Sequence, residues 1–159
     1  MLMLNLELKI PPPVVAALTA AAMWAASQWS GPGGPLDGLP ADWRLAATLA
    51  VALVGAGFDV GGVLGFLRAK TTVNPMKPER SAALVTSGLY RITRNPMYLG
   101  MALLLLAWAL YLASATALLG PLVFMLYITR FQIRPEERAL SARFGGEFAS
   151  YCARVRRWL

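Results

Sequence analysis

The sequence predicts an all-α, polytopic transmembrane protein of about four spans, ending in a C-terminal helical hairpin and a cytoplasmic tail. Three observations predict it. The 159 residues are 57% hydrophobic and only 14% charged, against about 25% charged in a soluble domain. The mean hydropathy of +0.54 comes from long uncharged stretches rather than scattered core positions, which is the pattern a bilayer imposes. The stretch from Asn95 to Thr129 carries no charge at all. As one straight helix it would run roughly 52 Å against a hydrocarbon core of about 30 Å, so it has to double back.

The first span, about 14–30, follows the stop at Pro11, Pro12 and Pro13 and ends in the turn signal SGPGGP. Its apolar run exceeds the usual signal-peptide core, and Trp24 and Trp29 suit a membrane interface. The second span, about 43–67, carries Gly57, Gly61 and Gly65 at every fourth position, a thin face for close helix packing. The folded-back stretch supplies spans at about 96–113 and 116–133. The reversal is expected near Ser114, Ala115 and Thr116, with Thr116 as N-cap and Pro121 near the start of the returning helix.

Basic residues set the orientation, since cytoplasmic loops collect Lys and Arg. The loop 68–95 carries Arg68, Lys70, Lys77, Arg80, Arg91 and Arg94, and the tail 134–159 is rich in arginine, whereas Ser30 to Asp42 holds Asp37 and Asp42 with no basic residue. Both termini are therefore expected inside, in a single domain over 1–159 and in a bacterial inner membrane. With no histidine and only Cys152, the chain cannot form an internal disulfide, and zinc, haem and iron–sulfur sites are not expected. Membrane lipids, rather than nucleic acid, are the natural partners of its net charge of +7, and no obligate protein partner is implied.

The hairpin returns Arg94 to Tyr98 and Arg134 to Arg138 to the same membrane face. Asn95 before Pro96 is a helix-start signature, and a helix N-terminus beside Arg94 is an anion site. Glu136 and Glu137 are adjacent carboxylates in an arginine-rich tail. They either form salt bridges, or accept hydrogen bonds from a ribose diol while offsetting a cation. S-adenosylmethionine has handles for both ends: a carboxylate for the helix start, and a sulfonium, an ammonium and a diol for the acidic pair.

The string SGLYRITRNPMYLG, followed after the hairpin by EERALSARFGGEFASYCARVRRW, resembles the membrane methyltransferases that include isoprenylcysteine carboxyl methyltransferases and phospholipid methyltransferases. The similarity runs from Thr71 onward. The first part of the motif commonly reads RHPxYxG in relatives; Arg94, Pro96, Tyr98 and Gly100 match, and Asn95 replaces the histidine. Asparagine cannot act as an acid or base near neutral pH, so no histidine-dependent step is available at this position. The resemblance implies S-adenosylmethionine as cofactor, with Arg94, Asn95, Tyr98, Gly100, Glu136 and Glu137 as its contacts. Gly100 is expected to permit close approach rather than to bind through a side chain. Gly88 and Tyr90 also fit the family string.

Methyl transfer from a sulfonium is an in-line displacement for which the protein chiefly aligns the partners. A carboxylate acceptor needs no general base whereas an amine or thiol does, which slightly favours a lipophilic carboxylate. Arg130, Arg134 and Arg138 could clamp it bidentately, or could snorkel to headgroups. Asp59 lies inside the second span, where an acidic side chain costs about 2.5–3.5 kcal/mol. It therefore either serves the acceptor pocket or pairs with an arginine or a backbone group. Two other readings are a nicotinamide-dependent membrane reductase of related architecture and a non-catalytic scaffold.

Overall fold

The computed structural model describes residues 6–29, 38–69 and 83–159. Among these residues it is all helical, with α1 at Pro12–Trp29, α2 at Ala41–Arg68, α3 at Pro96–Leu112, α4 at Leu119–Ile128, α5 at Arg134–Phe144 and α6 at Gly146–Arg154. A 3₁₀ turn at Gly88–Arg91 precedes α3, and a π-helical turn at Thr129–Ile133 joins α4 to α5. The expected SGPGGP turn and the basic residues Lys70, Lys77 and Arg80 lie outside the described residues.

Of the four expected spans, α2 is long and apolar enough to cross a membrane by length and composition. Its 28 residues rise roughly 42 Å. The apolar α3 has 17 residues, a length that α4 and the π turn approach only together. Large apolar side chains face outward on α2 (Leu49, Leu53, Val60) and on α4 (Leu122, Val123, Leu126). In water such rows would drive aggregation, whereas lipid takes them at no cost.

At the centre stands α3, packed against α1, α2 and α4. Tyr98, Ala102, Leu105 and Ala109 share one core with Phe124, Ile128 and Ile133. The Trp108 indole donates to the Ala20 carbonyl at 3.1 Å, and Met23 of α1 fills the space left by Gly120. The small residues of α2 divide their work in a way periodicity alone does not reveal. Gly55 and Gly62 lie against α3. Gly61 and Gly65 lie under Leu89 and Tyr90 of the 3₁₀ turn, and Gly57 meets nothing among the described residues. The expected stripe of three is therefore mostly a seat for a turn rather than a helix-packing face.

The reversal falls where expected, with Ala113 in the left-handed region at φ 52° closing α3. Thr116 is not the N-cap, however. The fourth helix begins at Leu119, and Thr116 instead shares a 2.8 Å hydrogen bond with Ser114 inside the turn. That bond lies within the bend, and the helix starts beyond it.

Candidate active site

Arg94 sits between the 3₁₀ turn and α3, and Glu137 sits in the first turn of α5. They meet at 2.7 Å across 43 positions of sequence. Arg157 closes on the same carboxylate from the tail at 2.6 and 3.0 Å. Burial alone would raise the Glu137 carboxyl, but the hydrogen bonds from Arg157 and Arg94 carry it below its ordinary value. It therefore stays ionised between two guanidiniums.

Beside it, Glu136 has no ion pair among the described residues. Its Oε1 accepts from the Tyr98 hydroxyl at 2.5 Å and from the Gln132 amide at 2.6 Å. Burial, the largest influence, pushes its carboxyl up to about 7; the two hydrogen bonds oppose the rise and the Glu137 charge adds to it. Two neighbouring glutamates are thus driven in opposite directions, Glu136 up by burial and Glu137 down by its guanidiniums. Because the folded value of Glu136 lies above the unfolded 4.5, its contribution to stability is present below pH 4.5 and is lost as pH rises through about 7. The thermal midpoint is expected to fall across that window in the wild type and to fall less in Glu136→Gln. A scan from pH 4.5 to 7.5 that gave parallel curves would remove Glu136 as the source.

Asn95 occupies the N-cap position of α3, but its side chain does not cap the helix. Its Nδ2 donates to the Arg157 carbonyl at 2.9 Å instead. The expectation of an asparagine cap is therefore corrected: the tail competes for the side chain, and the first N–H groups of α3 are left without it. Arg94 Nε is also buried without a hydrogen-bond partner among the described residues. The result is a donor-rich corner made of a guanidinium edge and a helix start with no side-chain cap.

Gly100 faces the other way. It lies two residues, about 200°, around the helix from Tyr98, so it points at α2 rather than at the glutamates. A Cβ there would fall 2.6 Å from Asp59 Oδ1 and 2.7 Å from the Gly55 carbonyl oxygen. The close approach that Gly100 permits here is that of α2, which places Asp59 in the α2–α3 seam, across α3 from Glu136. Asp59 Oδ1 is buried with no hydrogen-bond partner, so the expected pairing with an arginine is not made among the described residues. Arg130 and Arg138 both hold Glu7, the former at 2.7 Å. Arg134, between them on the same stripe, is exposed and has no ion pair among the described residues.

Sequence reasoning missed the strap that covers this corner. Arg94 donates from Nη1 to the Val155 carbonyl at 2.8 Å and from its own backbone N–H to the Arg156 carbonyl at 3.0 Å, while the Thr93 hydroxyl reaches the Arg157 carbonyl at 3.1 Å. The strap is seated by a second apolar cluster of Val85, Tyr90, Phe148, Tyr151 and Val155, in which the Tyr151 hydroxyl donates to the Tyr90 carbonyl at 2.7 Å. Pro135 was an available signal that was also missed. It has no N–H to offer the carbonyl four residues back, so the helix widens into the π turn and Phe131 O accepts from Leu8 N at 3.0 Å.

The profile of the phospholipid methyltransferase family matches residues 43–147. The chain belongs to that family. The match includes both halves of the Arg94–Glu137 contact, together with Tyr98 and Glu136, and leaves α1 and the strap outside it. As a phospholipid methyltransferase family member the chain falls in a class of methyl-transferring enzymes. Over 63 residues it is also 49% identical to an uncharacterized protein of Haemophilus influenzae, covering 40% of this chain and the full length of that relative. No solved structure matches.

Proposed function

We propose that this protein transfers a methyl group from S-adenosylmethionine to a lipophilic acceptor at the cytoplasmic face of a bacterial inner membrane. The reading rests on one observation above the others. The two motif halves, separated by a hairpin, close into a single polar corner through Arg94–Glu137 and Tyr98–Glu136. The unpartnered Arg94 Nε and the uncapped start of α3 fit a carboxylate, and the Glu136–Glu137 pair fits the hydroxyl and cationic groups of the same cofactor. When bound, S-adenosylmethionine supplies an activated methyl on a sulfonium, so no side chain has to act as nucleophile. Arg94 and the helix start would anchor it, the glutamates would orient it, and the strap would exclude water.

Four spans with both termini inside remain the arrangement that best accommodates the outward apolar rows of α2 and α4 and the arginine-rich tail. In that arrangement the corner lies at the inner surface. The stripe of Arg130, Arg134 and Arg138 then offers an acidic group on the acceptor a place to bind, with Arg134 the unpaired member, in keeping with a slight preference for a carboxylate. Asp59 in the α2–α3 seam is proposed as a polar group serving the acceptor side.

Transfer of labelled methyl from the cofactor into a lipid extract of the host tests the activity and reveals the acceptor class. Arg94→Lys keeps a charge but loses Nε and the forked geometry. Its cofactor affinity, measured by calorimetry, is expected to fall about 10- to 100-fold, the equivalent of one charged hydrogen bond. Failure of the wild type to bind the cofactor would return the corner to a purely structural knot.

A further inference from the structure

A groove of about 390 Å³ runs between α1 and α4, lined by Ile10, Leu18, Ala22, Leu119, Val123 and Tyr127 among others. Neither Arg94, Tyr98, Glu136 nor Glu137 lines it, so the groove is separate from the corner described above. Three features follow one another along it. Its length is almost wholly apolar. Toward the start of α1, the Tyr127 hydroxyl is buried without a hydrogen-bond partner among the described residues, and its ring packs on Phe131 at 4.8 Å. One turn further along the rod begins the stripe of Arg130, Arg134 and Arg138, three guanidiniums against the single carboxylate of Glu7, which lies three residues before groove-lining Ile10.

Acyl chain, ester carbonyl and phosphate follow in that same order in a glycerophospholipid. We propose that the α1–α4 groove holds one resident anionic glycerophospholipid. A chain lies against Leu18, Ala22, Leu119 and Val123; an ester carbonyl accepts from the Tyr127 hydroxyl; the phosphate sits on the surplus positive charge of the arginine stripe. Each group answers a need: a lone buried donor gains an acceptor, and excess cations at the headgroup level gain an anion. The inference rests on α1 and α4 lying in the membrane but not on methyl transfer, and it gives to the resident phosphate the arginine stripe offered above to an acidic acceptor.

Native mass spectrometry of the full chain in detergent tests it, with phosphatidylglycerol and phosphatidylcholine of matched chains as probes. Wild type is expected to retain one phosphatidylglycerol about tenfold more tightly than phosphatidylcholine, a difference of about 1.4 kcal/mol. Arg134→Ala should bring the two lipids close to parity, Tyr127→Phe should weaken both, and Ala22→Phe or Leu119→Phe, which fill the groove from exposed positions, should remove the tight site. Equal retention of both lipids by wild type would overturn the proposal, as would undiminished phosphatidylglycerol binding in the filled variants or a second copy of the chain bound in the lipid's place. Addition of labelled cofactor separates resident from substrate: phosphatidylglycerol recovered unmethylated supports a resident lipid, and methylated lipid makes the groove an acceptor site instead.

Discussion

Glu137→Ala is expected to lower cofactor affinity and the ligand-free thermal midpoint together. From sequence alone, affinity would be expected to suffer more than stability, because an exposed ion pair contributes little. The structure changes that balance. Glu137 has a side chain only 19% exposed and holds two guanidiniums, Arg94 at 14% and Arg157 at 34%. Its removal leaves Arg94 largely buried with its charge uncompensated and releases the tail from α5. A loss of about 2–3 kcal/mol in the absence of ligand is expected for a broken, partly buried charge cluster. Thermal unfolding in detergent, with and without S-adenosylmethionine, checks both parts. Arg157→Ala, which removes the more exposed partner, should cost less. An unchanged midpoint in Glu137→Ala would mean that the cluster does not hold the tail.

Gly100→Val is expected to be as damaging, by a different route. The added Cβ meets a backbone oxygen of Gly55 and the carboxyl of Asp59, and a helix backbone cannot move aside as a side-chain tip can. Parting α2 from α3 by the width of a side chain should cost about 3 kcal/mol, the upper end of overpacking penalties. It should also shift Asn95 and Tyr98 on the same helix, so cofactor affinity should fall although Gly100 faces away from the glutamates. Combining it with Asp59→Ala should recover only part of the loss, because the Gly55 carbonyl remains in the way. Full recovery in that double-mutant cycle would show Asp59, not the backbone contact, to be the obstacle.

The hairpin was legible because its cause is coarse: an uncharged run longer than the bilayer is thick must turn. Glu136 and Glu137 were legible for a similar reason, since acids amid arginines need partners, and the motif before α3 supplied them. The division of labour between the two was not legible. It depends on which carboxylate faces Tyr98 and which faces Arg94, a matter of helix phase. The strap escaped because Cys152, Val155, Arg156 and Arg157 contribute backbone carbonyls, which every residue carries. Thr116 misled for a related reason: its hydroxyl bonds Ser114 inside the turn, and α4 starts beyond it. The direction of Gly100 was available in principle, since residues two apart on a helix point to opposite sides, but motif matching places Gly100 and Tyr98 side by side.

The wide turn at Thr129–Ile133 carries a consequence for how this protein can vary. A π turn holds one residue more than an α turn, so everything beyond it is rotated by about 100° relative to a straight continuation of α4. The lipid-facing rows of α4 and the acidic pair of α5 therefore belong to two different phases of one rod. Either half can change its own pattern of residues without disturbing the other, provided the spacing between them is kept. A lengthening or shortening by a single residue at that joint would do what no point substitution there could, and swing both glutamates away from Arg94 and Tyr98 at once.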